Sequence, residues 1–102
     1  SRLNDWQTLA EWTAAPQAER FAGHFPGNVV VPGAVVLDEV LLQLQPHYGS
    51  VRTVLQAKFA RAMRAQTPVT LQTAVHGGRL QFRLLATHEP QAPSFCAGVC
   101  VL

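Results

Sequence analysis

The stretch Pro32-Gly33-Ala34-Val35-Val36-Leu37-Asp38-Glu39-Val40-Leu41-Leu42-Gln43-Leu44-Gln45 constrains this chain more than any other. Positions 34–37, 40–42 and 44 are apolar, so a helix built on them carries apolar side chains on nearly every face. Such a helix is predicted to be wrapped by the rest of the fold, not laid on its surface. Pro32 suits the first helical position, where its missing N–H costs nothing. The helix is predicted to run to about Gln45 and to stop at Pro46-His47-Tyr48-Gly49-Ser50. Two acids break the run, which falls short of the ~18 apolar residues of a membrane-spanning helix.

Upstream, Trp6, Leu9 and Trp12 recur at a spacing of three, but Trp and Thr favour a strand, and a strand is predicted from Asn4 to Ala14. Ala18 to Ala22 reads as a short extended approach to the turn Phe25-Pro26-Gly27-Asn28, in which Pro and Gly take their usual roles. Val29 to Val31 must be extended, because residues ahead of a proline avoid the α region. Downstream the period changes to two. Val51, Thr53, Leu55, Ala57 and Phe59 fall on one face of a strand over 51–60, with Arg52, Gln56 and Lys58 on the other. Val69 to Val75 and Arg79 to Thr87 alternate likewise, joined by the hairpin signal His76-Gly77-Gly78. A loop from His88 to Pro93 leads to a last strand, Ser94 to Leu102. One long buried helix followed by four antiparallel strands is an α+β layer solution: an antiparallel sheet wrapped around a central helix, the hotdog arrangement.

With 102 residues, the chain is read as a single domain over 1–102, and at that size a core shared across a dimer is plausible. Hydrophobic residues make up 48% and charged residues only 14%, which implies that a partner subunit covers part of the apolar surface. The net charge of +2, with Lys58 as the only lysine, is no nucleic-acid footprint, but it is compatible with an acidic protein partner. Ser1 to Pro16 shows no apolar leader, and the cytoplasm is the expected compartment. Cys96 and Cys100 would lie about 13 Å apart on one face of a strand, too far to bridge. They read as core fillers in a reducing compartment. No Cys/His pair has zinc-ligand spacing and no phosphate-binding loop appears, so neither metal nor cofactor is expected.

Gly23-His24-Phe25-Pro26-Gly27, Pro32-Gly33 and an acid fourteen residues after the histidine form one pattern. It resembles that of the hotdog-fold 3-hydroxyacyl-(acyl carrier protein) dehydratases, the FabA/FabZ superfamily. Lys58-Phe59 and Arg61 look like that family's later strand signature. The resemblance covers roughly residues 21–102. Short length, Asp in the acid position and Leu-Gln-Pro after the helix look most like the ApeI-like dehydratases. Val29 stands where the family has proline, which loosens the turn but removes no chemical group. The interval from the histidine singles out Asp38 over Glu39.

The resemblance implies dehydration of a 3-hydroxyacyl thioester on an acyl carrier protein to a 2-enoyl thioester, without a cofactor, by an obligate dimer. His24 is the base expected to take the α-proton: an imidazole titrates near ~6.5 and is largely neutral at pH 7. Asp38, with Ala34, Val35, Leu41 and Leu42 as its helical neighbours, is expected in apolar surroundings. A carboxyl held there keeps its proton and suits a general acid for the leaving hydroxyl. Glu39, about 100° round the helix, reads as a surface acid. The N–H groups of Gly33 and Ala34 lack intrahelical acceptors and can polarise the thioester oxygen. Arg52, Lys58, Arg61 and Arg64 are candidates for docking the acidic carrier protein, or for a plain solvated basic face. A hotdog thioesterase and a non-catalytic acyl-binding hotdog module are the alternatives; the histidine of the turn speaks against the first, and the presence of both His24 and Asp38 against the second.

Overall fold

The computed structural model describes residues 6–14, 30–49, 51 and 53–102. Strand β1 (Gln7–Thr13) precedes helix α1 (Gly33–Tyr48), and β2 (Thr53–Lys58), β3 (Pro68–His76), β4 (Arg79–Ala86) and β5 (Cys96–Val101) follow. The strands form one five-stranded sheet in the order β1-β3-β4-β5-β2, with antiparallel neighbours throughout. The hotdog arrangement expected from the sequence is therefore present.

Alternation places the core. Val69, Leu71 and Thr73 of β3 pair with Ala86, Leu84 and Phe82 of β4, and all six are buried. Leu80 and Leu84 pair with Cys100 and Cys96 of β5, which are fully buried and free. The β3–β4 hairpin closes at Gly77 (φ 56) and Gly78 (φ 80), the two left-handed positions that a two-residue turn of matching twist needs. Val36, Val40 and Leu44 of α1 close this core from above. Their i, i+4, i+8 spacing makes one buried stripe, and each is worth about 1.5–3 kcal/mol by area removed from water.

Three expectations are corrected. The helix does not stop at Gln45; it continues through Pro46 to Tyr48. The Tyr48 hydroxyl lies 3.1 Å from Thr73 Oγ1, which ties the last turn to the sheet, and Gly49 (φ 72) ends the helix while donating its N–H to Gln45 O. The single chain covers one side of α1 only: Ala34, Asp38, Leu42 and Gln45 are exposed, with Leu42 at 65%. A single sheet offers one inner surface, so it cannot wrap a whole cylinder. Finally, the alternation of β2 is broken. The register shifts between Val54 and Gln56, leaving Leu55 as the extra residue of a bulge. Val54 packs on the core, whereas Leu55 and Phe59 are about half exposed.

Candidate active site

The first turn of α1 is placed by backbone bonds. Val31 N–H donates to Met63 O (2.8 Å) and Val30 bridges Arg64, so the entry to the helix is pinned against residues 63–64. Val35 and Val36 both donate to Pro32 O, at 2.9 and 3.1 Å. Gly33 and Ala34 are thus the first-turn N–H groups that precede the intrahelical ladder and carry the positive end of the helix dipole. Gly33 also meets a steric demand: a Cβ there would lie 3.3 Å from Phe59 Cε1, so a side chain would press on the ring.

Beside this turn lies a cavity of about 330 Å³ whose walls include Gly33, Val36, Phe59, Arg61, Met63 and Phe95. Ala60 N–H donates to Phe95 O and Phe95 N–H to Leu84 O, so the 59–63 segment is held in register with β4. Arg61 does not join the exposed basic cluster foreseen for it. Its guanidinium carbon sits 4.1 Å from the centre of the Phe95 ring, and its Nε and Nη2 are sealed from solvent without an acceptor among the described residues. Lys58 and Arg64 are exposed; Arg52 lies outside the residues whose side chains are described.

The two acids exchange the settings expected of them. Asp38 is exposed and lines a second, open hollow of about 400 Å³ with Leu41, Leu42, Gln45 and Val51. Its own chain therefore does not supply the buried surroundings foreseen for it. Glu39 is the half-buried one, and its Oε1 accepts the Trp12 indole N–H at 2.8 Å, fastening the helix to β1. His24, Phe25, Pro26 and Gly27 lie outside the described residues, while Pro32 caps the helix without a side-chain bond. No described histidine lines either cavity.

The cysteines are poor nucleophiles. Burial, reinforced by nearby Cys100, pushes the Cys96 thiol up to about 11, and burial also raises Cys100. Among the described residues no group of three His, Cys, Asp or Glu side chains could hold a metal ion, and no helix is long and apolar enough to cross a membrane. Two features of the first cavity were not legible as site features: Phe59 against Gly33, and Arg61 on Phe95. The Lys58-Phe59 signature pointed to the neighbourhood of the first; no local pattern brings residue 61 to residue 95.

A five-stranded antiparallel sheet over one helix, with an apolar cavity at the helix start, defines a hotdog protein. Residues 2–96 match the ApeI-like family, described as ApeI dehydratase, and the chain belongs to that family. Among solved structures it is similar to the dehydratase heterocomplex ApeI:P from Xenorhabdus doucetiae, with a TM-score of 0.67 and 18% identity, covering 96% of this chain and 93% of that one. It is also similar to the fluoroacetyl-CoA thioesterase FlK, with a TM-score of 0.54 and 16% identity, covering 98% of this chain and 84% of that one. No curated protein sequence matches the chain. At these identities the structural likenesses bear on the fold.

Proposed function

We propose that the protein dehydrates a 3-hydroxyacyl thioester carried on an acyl carrier protein, giving the 2-enoyl thioester, in fatty-acid, aryl-polyene or polyketide-like biosynthesis. Membership of the ApeI-like dehydratase family over residues 2–96 carries the reading, because the matched range contains both His24 and Asp38. The elimination needs a base, an acid and a place for negative charge. His24 takes the α-proton. The N–H groups of Gly33 and Ala34 hold the thioester oxygen as charge develops on it. Asp38 protonates the departing hydroxyl, and water leaves.

Asp38 acts across a subunit boundary in this reading. It stands on the face of α1 that its own sheet leaves open, beside the exposed Leu42. A second hotdog subunit seated there, identical or different, would remove both from water. Lys58 and Arg64 offer exposed charge to an acidic carrier protein.

Mass spectrometry of 3-hydroxyacyl carrier proteins incubated with the protein tests the reaction. The expected result is loss of one water from the carried acyl group, abolished by His24→Ala and by Asp38→Asn in variants that keep the parent assembly. Unchanged turnover in both variants overturns the assignment; release of free carrier-protein thiol identifies a thioesterase instead.

A further inference from the structure

We propose that Phe59 sets the size of the acyl group that the cavity at the start of α1 admits. The inference rests on the reading that a thioester is held at the Gly33 N–H. It deepens that reading by naming a specificity-determining residue and a substrate class: a short hydrocarbon acyl group.

The walls of this cavity divide by exposure. Val31, Val36, Met63 and Phe95 are buried parts of the core. Val30 and Phe59 are about half exposed and form its solvent side. Apolar side chains scattered singly over a surface call for no explanation, whereas two at the mouth of one apolar hollow fit a ligand of hydrocarbon. Of the two, Phe59 is the one against the first turn of the helix. A Cβ at Gly33 would lie 3.3, 3.4 and 3.5 Å from Cε1, Cζ and Cδ1 of the Phe59 ring. The ring therefore borders the residue whose N–H is read as holding the thioester oxygen, and an acyl group anchored there starts beside it.

The root of the ring is fixed. Lys58 pairs with Ala97 of β5, and Ala60 donates its N–H to Phe95 O, so the backbone is held on both sides of residue 59. A change of side chain there alters the wall and leaves the frame. The floor has no such freedom, because trimming a buried core residue leaves a void in the fold itself. Arg61 is no rival selector: its guanidinium lies over Phe95, and Nε and Nη2 are shut off from solvent, so these donors do not meet a ligand in the cavity. The volume of about 330 Å³ falls at the small end of the ~300–1,000 Å³ usual for small-molecule pockets, which favours a short chain.

Calorimetric titration of the full chain with straight-chain amides, from butanamide to decanamide, tests the wall. The amide carbonyl stands in for the thioester carbonyl, and no probe carries a charge. Affinity is expected to rise about fourfold per added methylene, equivalent to ~0.8 kcal/mol, until the cavity is full, and then to level off. Phe59→Ala is expected to move the levelling point to longer amides, and Phe59→Trp to shorter ones. A parent protein whose affinity ignores chain length, or climbs through decanamide without levelling, overturns the proposal without recourse to any variant. A levelling point that stays in place in a folded variant, checked by circular dichroism, overturns it as well. Loosening of the fold would not shift the limit in opposite directions for the smaller and the larger side chain, and if one variant fails to fold the other decides. Dehydration of 3-hydroxyacyl carrier proteins of the same chain lengths is read in parallel. Turnover with a size limit indifferent to residue 59 overturns the role of Phe59 alone; a size limit that follows residue 59 without turnover overturns the reaction alone.

Discussion

The two faces of α1 differ more than their sequences do. One face, Val36, Val40 and Leu44, is buried against Leu71, Leu80, Phe82 and the cysteines of β5. The opposite face, Ala34, Asp38, Leu42 and Gln45, is open, with Leu42 at 65% exposure. Between them lie half-buried flanks, one of which carries Glu39. The composition is apolar nearly all round, yet one five-stranded sheet has inner surface for only one side. The buried stripe therefore belongs to folding. The open face is surplus to folding in the single chain, and it is the face that holds Asp38.

The contrast breaks most sharply at Leu44, fully buried at the centre of the stripe. Leu44→Ala should cost about 2–5 kcal/mol, because the lost contact and the cavity left behind add together. Urea unfolding would show this as a lowered midpoint at unchanged slope. A cost near zero would mean that the helix is held by something other than this stripe.

That stripe was only partly legible in advance. The β3–β4 hairpin was plain, since period-two alternation and a Gly-Gly turn agree and fix which side chains face inward. The helix had no such phase. With apolar residues on nearly every face, nothing local tells which acid approaches the sheet, and by sequence alone Glu39 reads as the surface acid. The deciding contact is Trp12, twenty-seven residues away. The β2 bulge was hidden for a related reason: it is set by pairing with β5. At Gly98 a Cβ would collide with Gln56 O and lie 2.8 Å from Phe82 Cζ, so the close approach of the two strands there requires a residue without a side chain. Arg61 looked like surface charge because its burial depends on Phe95.

The flank gives an intermediate case. Trp12→Phe keeps the ring and removes the indole N–H that Glu39 accepts at 2.8 Å. Leaving a half-buried carboxylate one donor short should cost about 1–3 kcal/mol. Glu39→Gln keeps an acceptor in place and should cost less than Trp12→Phe. Thermal or urea unfolding of the two variants side by side measures the difference; if Glu39→Gln proves the worse, the charge of Glu39 matters beyond this bond.

The open face should give the smallest change in stability. Leu42→Ser removes an exposed side chain that the single chain's core does not use, so its unfolding free energy as a separate chain should stay within about 0.5 kcal/mol of the parent. The informative readout is assembly. If a second hotdog subunit covers this face, Leu42 is buried in the complex, and a polar residue there should weaken association, seen by sedimentation equilibrium as a shift toward the monomer. Turnover should then fall with assembly, since Asp38 one turn away would lose the surface that shields it. The order of events separates the two roles of the helix: Leu44→Ala unfolds the chain first, whereas Leu42→Ser leaves a folded chain that associates and dehydrates poorly. Should Leu42→Ser leave both association and turnover untouched, the open face is ordinary solvent surface, and Asp38 has to work within its own chain or give up its place in the mechanism.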